Sequence, residues 1–120
     1  MPDFTQRLKG SAKENESLLC VGLDSDISKL PESVKGESDA VFEFNRRIVD
    51  ATKDLVCAYK PNIAFYEENG PAGLVSLKLS IDYIKLEAPN VMVVLDAKRG
   101  DIGNTAAAYS RALFGDMNAD

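Results

Sequence analysis

The sequence predicts an α/β protein built from parallel strand and helix units, on three observations. Three short apolar runs, "LLCVGLD" at 18–24, "CAYKPNIAF" at 57–65 and "VMVVLDAK" at 91–98, alternate with longer stretches of helical spacing. The runs lack the polar alternation of a sheet with one wet face, the pattern expected of parallel strands covered on both sides. Each run also carries charge toward its end: Lys60 follows Asp24 by 36 residues, and Asp96 follows Lys60 by the same interval.

Taken in order, "DFTQRLKGSAKEN" spaces Phe4 and Leu8 as a helix does and predicts a short N-terminal helix ending near Gly10 or a little beyond. The first strand follows and stops at Asp24. Residues 25–38, rich in Ser, Asp, Pro and Gly, read as a loop, with Ser38 or Asp39 placed to cap the next helix. That helix, "AVFEFNRRIVDATKDLV", aligns Val41, Phe44, Ile48, Thr52 and Leu55 or Val56 on one face. The second strand carries Lys60 near its end, and Pro61 discourages helix at that point. "GPAGLVSLKLSIDYIKLEAPN" then sets Leu74, Leu77, Ile81, Ile84 and Ala88 at helical intervals before Pro89 and Asn90 close it. After the third strand, the Ala-rich "GNTAAAYSRALFGD" predicts a fourth helix terminated around Gly115.

Composition narrows the function classes. A chain of 120 residues is one domain at most, and its 45% hydrophobic content argues against disorder. A net charge of −5 gives no support to a broad basic surface for nucleic acid or anionic lipid, so small molecules or protein are the expected partners. The N-terminus lacks the apolar core of a signal peptide, and no apolar run is long enough to span a bilayer. Cys20 and Cys57 sit inside apolar runs and read as buried, reduced thiols of a soluble, cytoplasmic protein. A glycosylation-type triplet at Asn15 to Ser17 and the Arg99 to Asp101 tripeptide are too short to carry functional weight.

The charges are the informative feature. In parallel α/β folds the loops after the strands share one rim, where ligands bind, so Asp24, Lys60, Asp96 and Lys98 are expected to converge there. In an extended segment Asp96 and Lys98 share one face and Ala97 takes the other. Strands also end in charge simply because they end at water. Four charges on three successive strands, beside the small residues Ala97, Gly100 and Gly103, point instead to a site that a ligand can approach closely.

"DAKRGDIGNT" fits an Asp-x-Lys-x-x-Asp motif, and together with "VGLD" and "YKPN" it resembles the orotidine 5'-phosphate decarboxylase family over residues 18 to 113. The likeness is greatest to the bacterial and archaeal subfamily whose motif reads "DAKRGDIGNTA". The resemblance implies decarboxylation of orotidine 5'-monophosphate to uridine 5'-monophosphate, a step of pyrimidine biosynthesis, with no metal or organic cofactor. It assigns Asp24 to the ribose hydroxyls and Lys60 to the charge network and the sugar. It sets Asp96 beside the substrate carboxylate and makes Lys98 the proton donor to C6 of the pyrimidine. It also implies a homodimer in which Asp101 and Thr105 reach the partner's site, with Ile102 against the substrate.

The chemistry needs these residue types. Loss of carbon dioxide from C6 leaves a ring carbanion with no neighbouring carbonyl placed to accept the charge, so a cation must be close. A lysine between Asp96 and Asp101 would stay protonated, because nearby carboxylates favour the ammonium. The chain contains no histidine, which leaves the lysine and carboxylate array as the available acid and base groups.

A related branch of sugar-phosphate enzymes, the hexulose-phosphate synthases, shares the motif but uses a magnesium-binding acid where this chain has Lys60. It is the alternative enzyme reading, and a non-catalytic half-barrel module is the alternative of a different class. The family fold is a (β/α)8 barrel of roughly 250 residues. The expectation is therefore that residues 1–120 are the N-terminal part of one barrel domain, holding three strand and helix units. Such a shortened chain would be inactive and poorly folded alone, since its open strand edges leave backbone groups unpaired.

Overall fold

The computed structural model describes residues 1 to 120, and in it the three apolar runs pair as one parallel sheet. Its strands are β1 (Cys20–Gly22), β2 (Ala58–Lys60) and β3 (Met92–Val93), in that spatial order. The helices are α1 (Phe4–Glu14), α2 (Glu32–Lys35), α3 (Ala40–Thr52), α4 (Ala64–Glu67), α5 (Gly70–Glu87) and α6 (Gly103–Ser110). The predicted class, α/β with parallel strand and helix units, is the one observed.

Register fixes which side chains share a face. Gly22 lies opposite Lys60, Ala58 opposite Met92, and Tyr59 opposite Val93. Side chains alternate along a strand. Leu23, Tyr59 and Val93 thus turn toward α3 and α5 and join the main core with Val49, Leu77, Ile81 and Ile84. Ala58 and Met92 turn the other way, where with Cys57 they form a small second cluster against Leu8 and Ala12 of α1.

The regular strands are shorter than the apolar runs, but pairing bonds continue past them. Cys57 N–H donates to Leu19 O at 2.9 Å, Leu23 N–H to Lys60 O at 3.1 Å, and Val94 N–H to Tyr59 O at 2.9 Å. Pro61, with no N–H to give, interrupts the ladder. The ladder resumes as a bridge between Asn62 and Asp96, with Asp96 N–H on Pro61 O at 2.9 Å and Ile63 N–H on Asp96 O at 3.0 Å.

Several elements differ from their sequence expectation. Gly10 does not end α1, because the Asp3 and Gln6 capping box and the contacts of its far end hold the helix to Glu14. Those contacts run to the start of β2: Ser11 Oγ donates to Cys57 O at 2.7 Å and Asn15 Nδ2 to Val56 O at 2.8 Å. The expected loop 25–38 contains a 3₁₀ turn (Ile27–Lys29) and α2, which bring Leu30 and Val34 into the core. The apolar run at 57–65 ends as α4 rather than strand, since beyond Pro61 the chain turns away from the sheet. The fourth helix becomes a π-helical turn at Arg111–Asp116, and α6 itself buries no residue.

On α3 the cap is Asp39, whose carboxylate accepts Phe42 N–H at 2.9 Å and also Ser76 Oγ of α5 at 2.8 Å. Its buried stripe is Val41, Asn45 and Val49, with Phe44 and Ile48 partly buried beside it; past the helix Leu55 is 60% exposed and Val56, the other expected position, is buried in the core. The α5 expectation fits: Leu77, Ile81, Ile84 and Ala88 are buried and Leu74 packs against them.

Cys57 is buried, but Cys20 is exposed, which corrects the reading of both thiols as buried; both are free. The cause is the inner sheet face at β1, which nothing covers: Leu18, of the same alternation as Cys20, is 90% exposed. On the opposite flank Asp120 lies against β3, exchanging bonds with Val93 and pairing with Arg7 and Lys85. Burial pushes its carboxyl up, but Lys85, the Val93 N–H and Arg7 together hold it below the usual range. No helix is long and apolar enough to cross a membrane.

The closest approach in the helical layer is at Gly73, where a Cβ would overlap the backbone carbonyl of Tyr66. Gly73→Ala in the full-length gene product is expected to cost about 2 to 3 kcal/mol by overpacking, as measured by chemical denaturation. An unchanged midpoint would mean that α4 and α5 are not packed this closely.

Candidate active site

Alternation along the three strands puts Gly22 and Asp24, Lys60, and Asp96 on the inner face of the sheet, at its C-terminal end. The resumed pairing beyond Pro61 carries Asp96 alongside the end of β2, where Lys60 Nζ stands 4.0 Å from Asp96 Oδ2. Lys98 completes the array, its Nζ donating to Oδ1 and Oδ2 of Asp96 at 2.7 and 2.6 Å. One carboxylate thus sits between two ammonium groups.

The backbone at Lys98 is part of this geometry. Its φ is +49°, a left-handed conformation that a lysine adopts only against a steric cost of about 1 to 2 kcal/mol. The segment 96–98 is therefore not extended throughout, as the sequence had suggested. Ala97 still points inward to the core while Lys98 bends back over Asp96. Such strain at an exposed charged residue is characteristic of functional sites.

Lys98 is 75% exposed and Asp96 25%. The hydrogen bonds from Lys98 hold the Asp96 carboxyl below the usual aspartate range, the charge of Lys60 adds to this, and partial desolvation opposes it.

Not every expected residue joins the array. Asp24 projects from the same rim but lines a shallow pocket of about 240 Å³ with Ser25, Asp26, Lys29, Leu30, Phe44 and Phe65. Asp101 does not flank Lys98 in this chain, contrary to the expected lysine between two carboxylates: its Oδ1 accepts the Ile102 N–H at 2.7 Å, at the start of α6. Ile102, 80% exposed, and Thr105 face solvent. Gly103, at φ +35°, opens α6 in a left-handed conformation that glycine adopts without steric cost.

Arg99 received no role from sequence. It pairs with Glu67 of α4, donates to Ala97 O at 2.9 Å and lies over the Tyr109 ring at 5.8 Å. It thereby ties the motif loop to the elements on both sides. The largest cleft, about 600 Å³, opens beside Arg99, Glu67, Leu74 and Tyr109, with Lys98 on its rim. The signal for Arg99 was its place inside the motif, but its partners are distant in sequence.

A family model described as "Orotidine 5'-phosphate decarboxylase / HUMPS family" matches residues 17–120. The chain is 48% identical over 115 residues to the orotidine 5'-phosphate decarboxylase of Bacteroides fragilis strain YCH46, covering 96% of this chain and 42% of that protein. It is 49% identical over 117 residues to the protein of the same name from Herpetosiphon aurantiacus, covering 98% and 43% respectively. Among solved structures, Leishmania donovani OMP decarboxylase superposes with a TM-score of 0.77 at 35% identity, covering 98% of this chain and 42% of the other. The chain thus spans about two fifths of the length of these relatives.

The Asp96 carboxyl is expected to titrate below an ordinary aspartate when followed by carboxyl carbon NMR. A depressed folded value keeps the ion pair intact at neutral pH and releases it only as pH falls through that value. Lys98→Ala should move the midpoint up toward the ordinary value; no movement would mean that Lys98 does not hold Asp96 in solution.

With its three parallel units and a match over residues 17–120, the chain belongs to the orotidine 5'-phosphate decarboxylase / HUMPS family.

Proposed function

We propose that this chain carries the charged half of the active site of an orotidine 5'-monophosphate decarboxylase, a cytoplasmic enzyme of pyrimidine biosynthesis that works without metal or organic cofactor. One observation carries the reading: Lys60, Asp96 and Lys98 stand in contact order at the C-terminal rim of a parallel sheet, in a chain of this family.

In the proposed mechanism the pyrimidine lies with C6 toward Lys98. Cleavage of the bond from C6 to the carboxylate carbon releases carbon dioxide and leaves the bonding pair on C6. The Lys98 ammonium, fixed by both oxygens of Asp96, stabilises that pair electrostatically and then transfers its proton to C6. Asp96 acts first by positioning Lys98, and Lys60 keeps Asp96 ionised from the other side. Asp24 and Lys60 hold the sugar. Asp101, Ile102 and Thr105 belong to the site of a partner subunit in a homodimer. Their exposure at the start of α6 supports this reading.

The alternative magnesium-dependent sugar-phosphate chemistry calls for an acid on the second strand, where this chain has Lys60. Loss of orotidine 5'-monophosphate absorbance separates the two. The full-length gene product is expected to turn the nucleotide over at undiminished rate in excess EDTA, and Lys98→Ala to lose at least about a thousandfold, within the usual range for one positioned acid group. No turnover by the parent, or a Lys98→Ala variant as active as the parent, would sink the decarboxylase reading.

Residues 1–120 expressed alone are expected to give no turnover and no cooperative thermal transition by circular dichroism, given the bare apolar face at Leu18 and Leu19. A cooperative melt from a compact monomer would contradict this.

A further inference from the structure

We propose that Tyr66 and Asn45 are positioning residues for Asp24, clamping the backbone on either side of that acid; the inference rests on the reading of Asp24 as the ribose-binding group. The need for a clamp begins with an unmet carbonyl. Leu23 N–H donates to Lys60 O at 3.1 Å with Gly22 opposite Lys60, so alternate residues of β2 turn toward β1 and the amide due at Leu23 O is that of residue 62. Past Lys60 the chain turns away into α4 and no backbone amide bonds to Leu23 O, which leaves this carbonyl, one residue before Asp24, without a ladder donor. The Tyr66 hydroxyl supplies it, donating to Leu23 O at 2.6 Å.

The other side of Asp24 is tied by Asn45. Its amide is fully buried at the centre of α3, with the oxygen and both amide hydrogens bonded. Oδ1 accepts Ser25 Oγ at 2.5 Å, and Nδ2 donates to Tyr66 Oη at 2.9 Å and to Ser80 Oγ at 2.9 Å. Leu23 and Ser25, the two neighbours of Asp24, are thereby bonded to one hub that joins α3, α4 and α5. A leucine at position 45 would fill the core as well. A satisfied amide adds direction, because a buried polar network tolerates only one arrangement of its partners. Asp24 itself is exposed at the rim with both its neighbours immobilised.

The test uses the full-length gene product and calorimetric binding of uridine 5'-monophosphate and of its 2'-deoxy and 3'-deoxy analogues. The parent is expected to favour the parent nucleotide over at least one analogue, and Asp24→Asn to narrow that ratio. Tyr66→Phe, which keeps the ring and removes only the hydroxyl, should narrow the same ratio about fivefold, the scale of one hydrogen bond, and add little in the Asp24→Asn background. Ser25→Ala loosens the other side and decides the matter if Tyr66→Phe does not fold. A bond that only stabilises the fold would lower the denaturation midpoint and leave the ratio alone. Folded Tyr66→Phe and Ser25→Ala proteins with the parent's ratio would therefore overturn the inference, while the decarboxylase reading stood. A parent that binds none of the three nucleotides would overturn that reading, and the inference with it.

Discussion

Because β1, β2 and β3 run parallel with Gly22 opposite Lys60 and Ala58 opposite Met92, every second side chain of each strand faces the same way at the same height. The residues that face the helices at those levels are Leu23, Tyr59 and Val93, and they are apolar because they are covered. Those that face inward pass from apolar to charged on reaching the rim, from Ala58 to Lys60 and from Met92 and Val94 to Asp96. The array is therefore a consequence of register. A slip of one residue in β3 would send Asp96 into the helical layer and replace it with Ala97 or Leu95. Burying an aspartate there would oppose the slip as strongly as exposing Val93. Fold stability and site geometry are enforced by the same alternation.

Pro61 marks where β2 leaves the sheet. Lacking an N–H, it ends the regular ladder of β2, which lets the chain turn into α4 and bring Tyr66 beneath the rim. No backbone amide bonds to Leu23 O, and the Tyr66 hydroxyl brought in by that turn donates to it at 2.6 Å. Pairing then resumes at Asn62 and Asp96, so the strand ends are drawn back together just where the charges stand. A residue that breaks secondary structure here organises tertiary structure.

Much of this was legible in the sequence, and what was not has physical reasons. The three apolar runs and the α5 stripe were readable because burial imposes a period, two or 3.6, on contiguous residues. Asp96 and Lys98 were readable as partners because they are two positions apart. The α3 stripe was misread because its centre is Asn45, a polar residue buried by partners 20, 21 and 35 positions away that no periodicity displays. Cys20, Leu18 and Leu19 were expected to be covered because their run looks like a core strand. Hydrophobicity records what a residue prefers, and these three residues are exposed all the same. Asp101 was expected beside Lys98 by motif spacing alone, which could not show that its carboxylate instead accepts the Ile102 N–H at the start of α6.

The exposure of Lys98 sets the remaining demand on the chemistry. A lysine paired to one carboxylate and open to water is preorganised in position but not in field, because water screens its charge at the carbon it must stabilise. Electrostatic catalysis of this kind gains most when solvent is excluded and the dipoles need not reorganise. Asp96 and the left-handed backbone at Lys98 already supply the first half, fixing Nζ without help from substrate. In the proposed reaction the second half would be a cover over the rim and a second carboxylate near Lys98, neither of which the sheet and helices described above supply. The exposed turn at Asp101 and Ile102 is itself a surface presented outward where another copy of the chain could receive it. An active site assembled across two subunits would then be dry only when paired, which couples the proposed dimer to the proposed chemistry.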